Sequence, residues 1–417
     1  MFRVAVIGGQ PHAVLAAKEL GIEVVLIHEE GKYEEEFNEY CERIIHAPIT
    51  DSGAILAALK PLHERRPFDR VLSTSEDGAV ATGEVVEALG LPGTRAATAR
   101  ALKDKALTRR LLAEHGLSPV RYAVIRSEAE ALEFFESIGD RIVIKPVDGV
   151  ASIQIHVASS TDEASAAWKL IQEAGHDFAL AEEYLEGAVV SVDSFSFEGR
   201  HLPIGMSEYR MNEYFVEWEV STPSRYAVPY RARLRELTGQ LLDAVGLTDG
   251  PAHSEFVLTP AGPRVLESHN RLAGSGAPEL VRRAFGPSLS RMFLTVPLGI
   301  EQLPATPPEP IGGAAVRFFT PEAGEITKIT GVEDVDAKVI RLPKGAAIPN
   351  IVPRLNELTD ADVGVVIAKS EGDIVPPLRS VAACTTGYVI ASGRDADDAV
   401  ARCEDVAQRI QFHVRSY

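Results

Sequence analysis

Cysteine is scarce: Cys41, Cys384 and Cys403 are the only three in 417 residues, far apart and without metal-ligand spacing. That excludes a disulfide framework and a zinc site built on thiolates. Positive charge is short as well. Forty-two Lys and Arg face 60 Asp and Glu, and the formal charge of −18 argues against nucleic acid or an anionic membrane as the main partner. No run of about eighteen apolar residues occurs. The opening FRVAVIGG is too short and too strand-like for a signal peptide, so the expected location is the cytoplasm. Neither a Walker pattern nor a complete dinucleotide fingerprint is present, because Gly8-Gly9-Gln10-Pro11 lacks the three-glycine spacing. What is there is ordinary for a globular protein, 45% hydrophobic and 24% charged, with length for about two to four domains.

One stretch organises the rest. Residues 252–276 read AHSEFVLTPAGPRVLESHNRLAGSG, two apolar-rich runs around a Pro/Gly turn at 259–263, hence a β-hairpin. Centring the pairing on Ala261 sets Val257 opposite Val265, Glu255 opposite Glu267, and His253 opposite His269. Residues two apart share a strand face, so both carboxylates and both imidazoles point the same way. Like charges directly opposite destabilise a sheet. A cation should therefore sit between the glutamates, and hard oxygen ligands suit Mg²⁺. The alternative is a solvated edge hairpin with Arg264 or Arg271 as the neutralising charge.

The chain opens as a parallel sheet. Residues 2–7 form a strand, 13–20 a helix and 23–27 a second strand, a βαβ unit. A later strand, 70–73, runs into Thr74-Ser75-Glu76-Asp77-Gly78. Ligands gather at the carboxyl ends of such strands, which makes Glu76 a candidate substrate contact; it would equally complement a helix dipole. Residues 97–115 read as one helix, with Lys103-Asp104-Lys105 in its first turns. Strand 141–144 ends in Lys145-Pro146 before a small-residue loop, 147–152. Such a loop can present a charge and several amides to a phosphate, or be a plain turn with a surface lysine. Strands follow at 153–157, 178–184 and 188–197. Residues 205–223 mix Tyr209, Tyr214, Phe215 and Trp218 with Glu208, Glu213, Glu217 and Glu219 without a clear period. They are expected to form a loop over a site or a core. Four prolines within 301–310 mark a linker. Short strands and a final helix, 396–412, complete an α+β tail.

In their order, Asp104-Lys105, Ile144-Lys145-Pro146, Glu182-Glu183-Tyr184-Leu185-Glu186-Gly187, and Glu255 with Glu267-Ser268-His269-Asn270-Arg271 resemble the ATP-grasp superfamily. Within it they resemble the carboxylate–amine ligases, which include the L-amino-acid (dipeptide) ligases. The resemblance covers nearly the whole chain and implies a multidomain α/β and α+β fold. A Rossmann-like pre-ATP-grasp domain (1–95) would precede a two-lobed ATP-grasp domain (96–303) with a lid loop near 147–154. A C-terminal α+β lobe (304–417) would follow.

The resemblance implies ATP with Mg²⁺, or Mn²⁺, as cofactors. Lys105 and Lys145 would hold the phosphates, with Ser152 in the lid. Residues Glu182, Glu183, Tyr184 and Leu185 would form the adenine-reading hinge. Val189 stands where a ribose-binding glutamate is common, so Asp193 or Glu186 would take that part. Glu255 and Glu267 would carry the metal, joined by His269 or Asn270. In the usual Glu-x-Asn-x-Arg order, His269 occupies the asparagine position. Arg271, with Lys145, would act on the reacting phosphoryl and acyl groups. Glu76, Glu217, Trp218, Arg271 and Gly274 would line the substrate pocket. The lid lacks the usual glycines, and Gln154 stands where glycine is common. The implied partners are a small carboxylate and an amine, with no nucleic acid and no membrane, in a homodimer such as relatives often form. A purine-pathway type using formate or bicarbonate, and a nucleotide-binding protein without turnover, are the alternatives.

Overall fold

A computed structural model describes residues 1–417 except Gln10, residues 34–36, residues 150–152, Pro349 and Tyr417. Ser152 and part of the expected lid loop therefore lie outside the described residues. Four parallel strands open the chain: β1 (Arg3–Ile7), β2 (Glu23–His28), β3 (Arg43–His46) and β4 (Arg70–Ser73), in the order β3-β2-β1-β4. Helices α1 (Pro11–Glu19), α2 (Phe37–Tyr40) and α3 (Ser52–Arg65) connect them, and α4 (Ala79–Ala88) follows β4. Each sheet face has its own core. Val4, Val6 and Leu26 pack with α1, while Ala5, Ile7 and Ile27 pack with α3 and α4. Burial on both faces explains why β1 and β2 read as unbroken apolar runs.

The single helix expected over 97–115 is two, α5 (Ala96–Lys103) and α6 (Lys105–Glu114). Asp104 separates them in an extended conformation, and its side chain caps α6 by accepting from the Leu107 amide. The break places Lys105 at the first position of α6, where its amide donates to the Val147 carbonyl.

The small lobe follows: β5 (Tyr122–Ile125), α7 (Glu128–Ile138), β6 (Ile142–Lys145), β7 (His156–Ala158), α8 (Thr161–Glu173) and β8 (Ala179–Glu183). Its strands form an antiparallel sheet, β5-β8-β6-β7, covered by α7 and α8 around the buried Trp168.

The chain then enters the large sheet through β9 (Ala188–Phe197), β10 (Arg200–Met211) and β11 (Glu217–Thr222). Residues 205–223, expected to be a loop, are thus mostly strand. Glu208 and Glu219 obscured that pattern: both are buried, but Arg225 neutralises the first and Arg317 and Arg210 the second. After α9 (Arg231–Ala244) come β12 (Gly250–Thr259), β13 (Gly262–His269), α10 (Ala277–Phe285) and α11 (Leu289–Thr295).

No helix or strand occupies 301–310, the expected linker. Beyond it lie β14 (Gly313–Phe318), β15 (Gly324–Thr330), β16 (Lys338–Arg341), β17 (Val363–Ile367), β18 (Ile374–Val375) and β19 (Gly387–Gly393). The last helix, α12 (Ala396–Arg409), is shorter than expected and gives way to β20 (Gln411–Arg415), which pairs with β15. Strand β14 pairs with β11, so one sheet of nine strands runs from β13 through β12, β9, β10, β11, β14, β19 and β17 to β16.

Gly187 joins the small lobe to β9 with φ of 155°, and a Cβ placed there would lie 2.2 Å from the Leu258 carbonyl oxygen. Backbone cannot yield as a side chain can. Gly187→Ala should lower the thermal unfolding midpoint by about 3–6 °C, read by differential scanning calorimetry; an unchanged midpoint would refute the tight passage.

Candidate active site

The hairpin β12–β13 forms as expected at its functional end: His253 pairs with His269 and Glu255 with Glu267. Beyond that point a β-bulge shifts the register. Phe256 pairs with Val265, and Val257 with Arg264 rather than with Val265. The extra residue turns Val265 into the core beneath α9 while Glu267 stays on the opposite, polar face. On that polar face Ser191 and Asp193 of β9 stand beside Glu255 and His253.

Each glutamate is backed by a histidine, and each histidine by a second carboxylate. His253 Nε2 lies 3.2 Å from Glu255 Oε1, and its Nδ1 lies 2.8 Å from Asp193 Oδ1. His269 Nε2 lies 3.0 Å from Glu267 Oε1, and its Nδ1 lies 3.2 Å from Glu76 Oε1. Burial works against charge on His253, but Asp193 and Glu255 outweigh it and push the imidazole up to about 10. His269 is raised in the same way against its burial, chiefly by Glu267.

Glu76 arrives from the N-terminal domain, at the carboxyl end of β4. Its Oε2 accepts from Arg271 Nε at 3.0 Å and also pairs with the terminal guanidinium nitrogen at 3.0 Å. Burial opposes ionisation of Glu76, yet His269, Arg271 and Lys105 hold its carboxyl down at about 2. Glu217 on β11 faces the same cluster, where burial and the charge of Glu255 push it up to about 8.

Lys105 is buried at the cluster's edge, its Nζ 3.1 Å from Glu267 Oε2 and donating to the Gly149 carbonyl at 2.7 Å. Desolvation opposes its charge, but Glu267 and Glu76 raise its pKa above the ordinary value. Lys145 ends β6 with its Nζ 2.6 Å from Glu182 Oε2. Glu182 also accepts from Arg109 Nε at 2.6 Å. The fully buried carboxyl is kept ionised by those two cations against the cost of burial. Along the hinge, the amides of Glu183 and Tyr184 donate to the carbonyls of Arg121 and Arg141. The Leu185 amide has no backbone partner among the described residues.

Several expected residues lie elsewhere. Asn270 donates from its side chain to the Pro251 carbonyl and lines a seam with Arg70 and Thr94 of the N-terminal region, away from the glutamates. Alternation along β13 sends His269 to one face and Asn270 to the other. Trp218 sits at a second bulge, between Glu217 and Glu219 in the pairing with β10. Its ring lies under the guanidinium of Arg317 at 4.6 Å, on the α12 side of the sheet and not beside Glu217. Asp193 is committed to His253 rather than free for a ribose, and Glu186 is exposed and paired with Arg141. Gly274 lines a cavity of about 440 Å³ together with Gly276, Arg282, Asn350 and Arg354. Arg109 went unnoticed in the sequence. Its signal was the spacing of four from Lys105, which puts both cations on one face of α6.

Among the described residues no three His, Cys, Asp or Glu side chains close a metal site by themselves. The donors nevertheless fit Mg²⁺, which typically takes one or two carboxylates and completes its shell with substrate phosphates and water. Glu255 and Glu267 would supply those carboxylates, with Lys105 against Glu267 and Arg271 held nearby by Glu76.

Comparison with known proteins agrees along the chain. The profile of the ATP-grasp N-terminal domain matches residues 14–93, that of the ATP-grasp domain residues 138–279, and that of the L-amino acid ligase C-terminal domain 2 residues 356–415. An uncharacterised protein of Sinorhizobium fredii is 25% identical over 317 residues, 74% of this chain but only 64% of its own length. An L-arginine-specific L-amino acid ligase of Bacillus subtilis is 22% identical over 295 residues, 69% of this chain and 71% of that protein. The crystal structure of an L-amino acid ligase from Bacillus licheniformis superposes with a TM-score of 0.79 at 20% identity, over 100% of this chain and 99% of that one. The chain thus carries, in order, an ATP-grasp N-terminal domain, an ATP-grasp domain and an L-amino acid ligase carboxy-terminal domain.

Proposed function

We propose that this chain joins a small carboxylate, an amino acid by preference, to an amine at the expense of ATP. The observation that carries the reading is the convergence of Glu255, Glu267, Lys105 and Arg271 on one face of one hairpin. The match of residues 356–415 to the L-amino acid ligase C-terminal domain favours this branch over the formate- and bicarbonate-using one.

The chemistry follows from the residue types. A carboxylate oxygen attacks the γ-phosphorus, the bond to the β-bridging oxygen breaks, and ADP leaves. The amine lone pair then attacks the acyl carbon, the C–O bond to phosphate breaks, and the nitrogen loses its extra proton. Mg²⁺ held by Glu255 and Glu267 would supply charge neutralisation on the phosphates. Lys105 and Lys145 add fixed positive charge there. The Leu185 amide, without a backbone partner among the described residues, suits the adenine edge. Arg271, clamped by Glu76, is oriented before any substrate arrives, the condition under which a guanidinium best stabilises a developing oxyanion. Glu76 and Glu217 flank this centre and are the acids we assign to substrate contact.

ADP release should require Mg²⁺-ATP and two further substrates, with a product lighter by one water than their sum, identified by mass spectrometry of active amino-acid pools. Glu267→Ala or Lys145→Ala should abolish that release with the circular dichroism spectrum unchanged. Normal turnover in either variant would remove the site assignment. Glu76→Ala frees Arg271 and leaves a half-buried guanidinium without its anion, so kcat should fall about 10²-fold with the KM for ATP altered less than threefold. An equal rise in the KM for ATP would show that Glu76 serves the nucleotide instead.

A further inference from the structure

Arg109 has none of the nucleotide, metal or substrate roles described above, yet its side chain is only 3% exposed. A buried guanidinium is costly unless its donors are used, and here they are spent on two separate parts of the site. Nε donates to Glu182 Oε1 at 2.6 Å, while both terminal nitrogens donate to the Val265 carbonyl at 3.1 Å.

Each target bears on a functional group. Val265 stands at the bulge of β13, and the displaced residue lies between it and Glu267. A bulge leaves a ladder position unpaired and re-aims the next side chain. Two charge-assisted bonds on the Val265 carbonyl hold that irregular segment in place. Glu182, the second target, fixes Lys145 through its other oxygen at 2.6 Å. Charge counting gives Arg109 a further part. Glu182 with Lys145 alone would be a neutral pair; with Arg109 the group keeps one net positive charge at the end of β6.

We propose that Arg109 is a positioning residue. One guanidinium fixes both the bulge that aims Glu267 at the metal and, through Glu182, the charge and placement of Lys145 toward phosphate. The inference rests on the ATP-grasp reading of Glu267 and Lys145.

The test is binding rather than turnover, on the full-length protein. ADP affinity is measured by calorimetry in EDTA, and Mn²⁺ affinity by electron paramagnetic resonance on the ADP-saturated protein. In Arg109→Lys one ammonium can keep the Glu182 ion pair but cannot also hold Val265. Mn²⁺ affinity should fall about tenfold, the worth of one charge-assisted hydrogen bond, with ADP affinity changed less than about twofold. Arg109→Met removes both ties and leaves Lys145 neutralised, so both affinities should fall at least about tenfold. Equal changes in the two affinities of Arg109→Lys, or a lowered melting temperature with neither affinity altered, would reduce Arg109 to an ordinary structural residue. Should Arg109→Met fail to fold, the split in Arg109→Lys decides alone. Wild-type protein that binds no ADP would overturn the ATP-site reading and this inference together; ADP binding without the split would overturn only the inference.

Discussion

Glu255 and Glu267 face each other across two adjacent strands, and the arrangement around them answers the repulsion this creates. Two like charges about 4 Å apart at an effective dielectric of about 20 cost on the order of 4 kcal/mol, a large fraction of a domain's stability. The protein meets that cost with Lys105 against Glu267 and with a histidine against each carboxylate. Those histidines need anchors of their own, which brings in Asp193 and Glu76. The pattern of carboxylate, imidazole, carboxylate occurs twice, once on each strand. A ligating or charge-bearing group gains orientation from such a partner behind it. Only one of the two anchors belongs to the sheet. The other reaches in from the N-terminal domain, which makes that domain part of the candidate site.

Glu182 poses the opposite problem. It is a fully buried carboxylate between two cations, and its removal would leave both of them unpaired in the interior, a kind of change that typically costs about 3–5 kcal/mol. Its position at the hinge therefore stiffens the junction of the two lobes. Gly187, a few residues on, lets the chain pass against Leu258 where any side chain would collide. Rigid electrostatics on one side and a tight steric passage on the other fix how β8 meets β9.

What was legible in the sequence follows from periodicity. Alternation alone put Glu255, Glu267, His253 and His269 on one face and chose His269 over Asn270 for that face. The order of lysine, lysine, hinge and acidic hairpin resembled the ATP-grasp pattern, and the fold agrees. What was not legible came from irregularity and long-range pairing. A bulge at Leu266, between Val265 and Glu267, changed the partner of Val257, and a second at Trp218 turned its indole toward Arg317. One added residue reverses every later side chain, and composition does not mark where it falls. Strand β10 was hidden because buried Glu208 depends on Arg225, seventeen residues away. Contacts such as Arg271 to Glu76 span 195 positions and exist only in the folded chain.

The continuity of the large sheet bears on substrate choice. In the proposed reaction the phosphoryl chemistry would fall to β12, β13 and the two lysines. Glu217 lies on β11, whose next neighbour is β14, the first strand after the proline-rich linker. Leu280 of α10 packs on the same layer with Val216, Val220 and Val316, so the wall beyond the glutamates is built jointly by central and carboxy-terminal residues. Glu76 forms the opposite flank. Selectivity is a difference in how walls fit competing substrates, and both walls here lie outside the hairpin. Under the proposed ligase reading, Glu76 on one flank and the β11–β14 junction on the other are therefore where a bound acid and amine would meet protein walls beyond the hairpin.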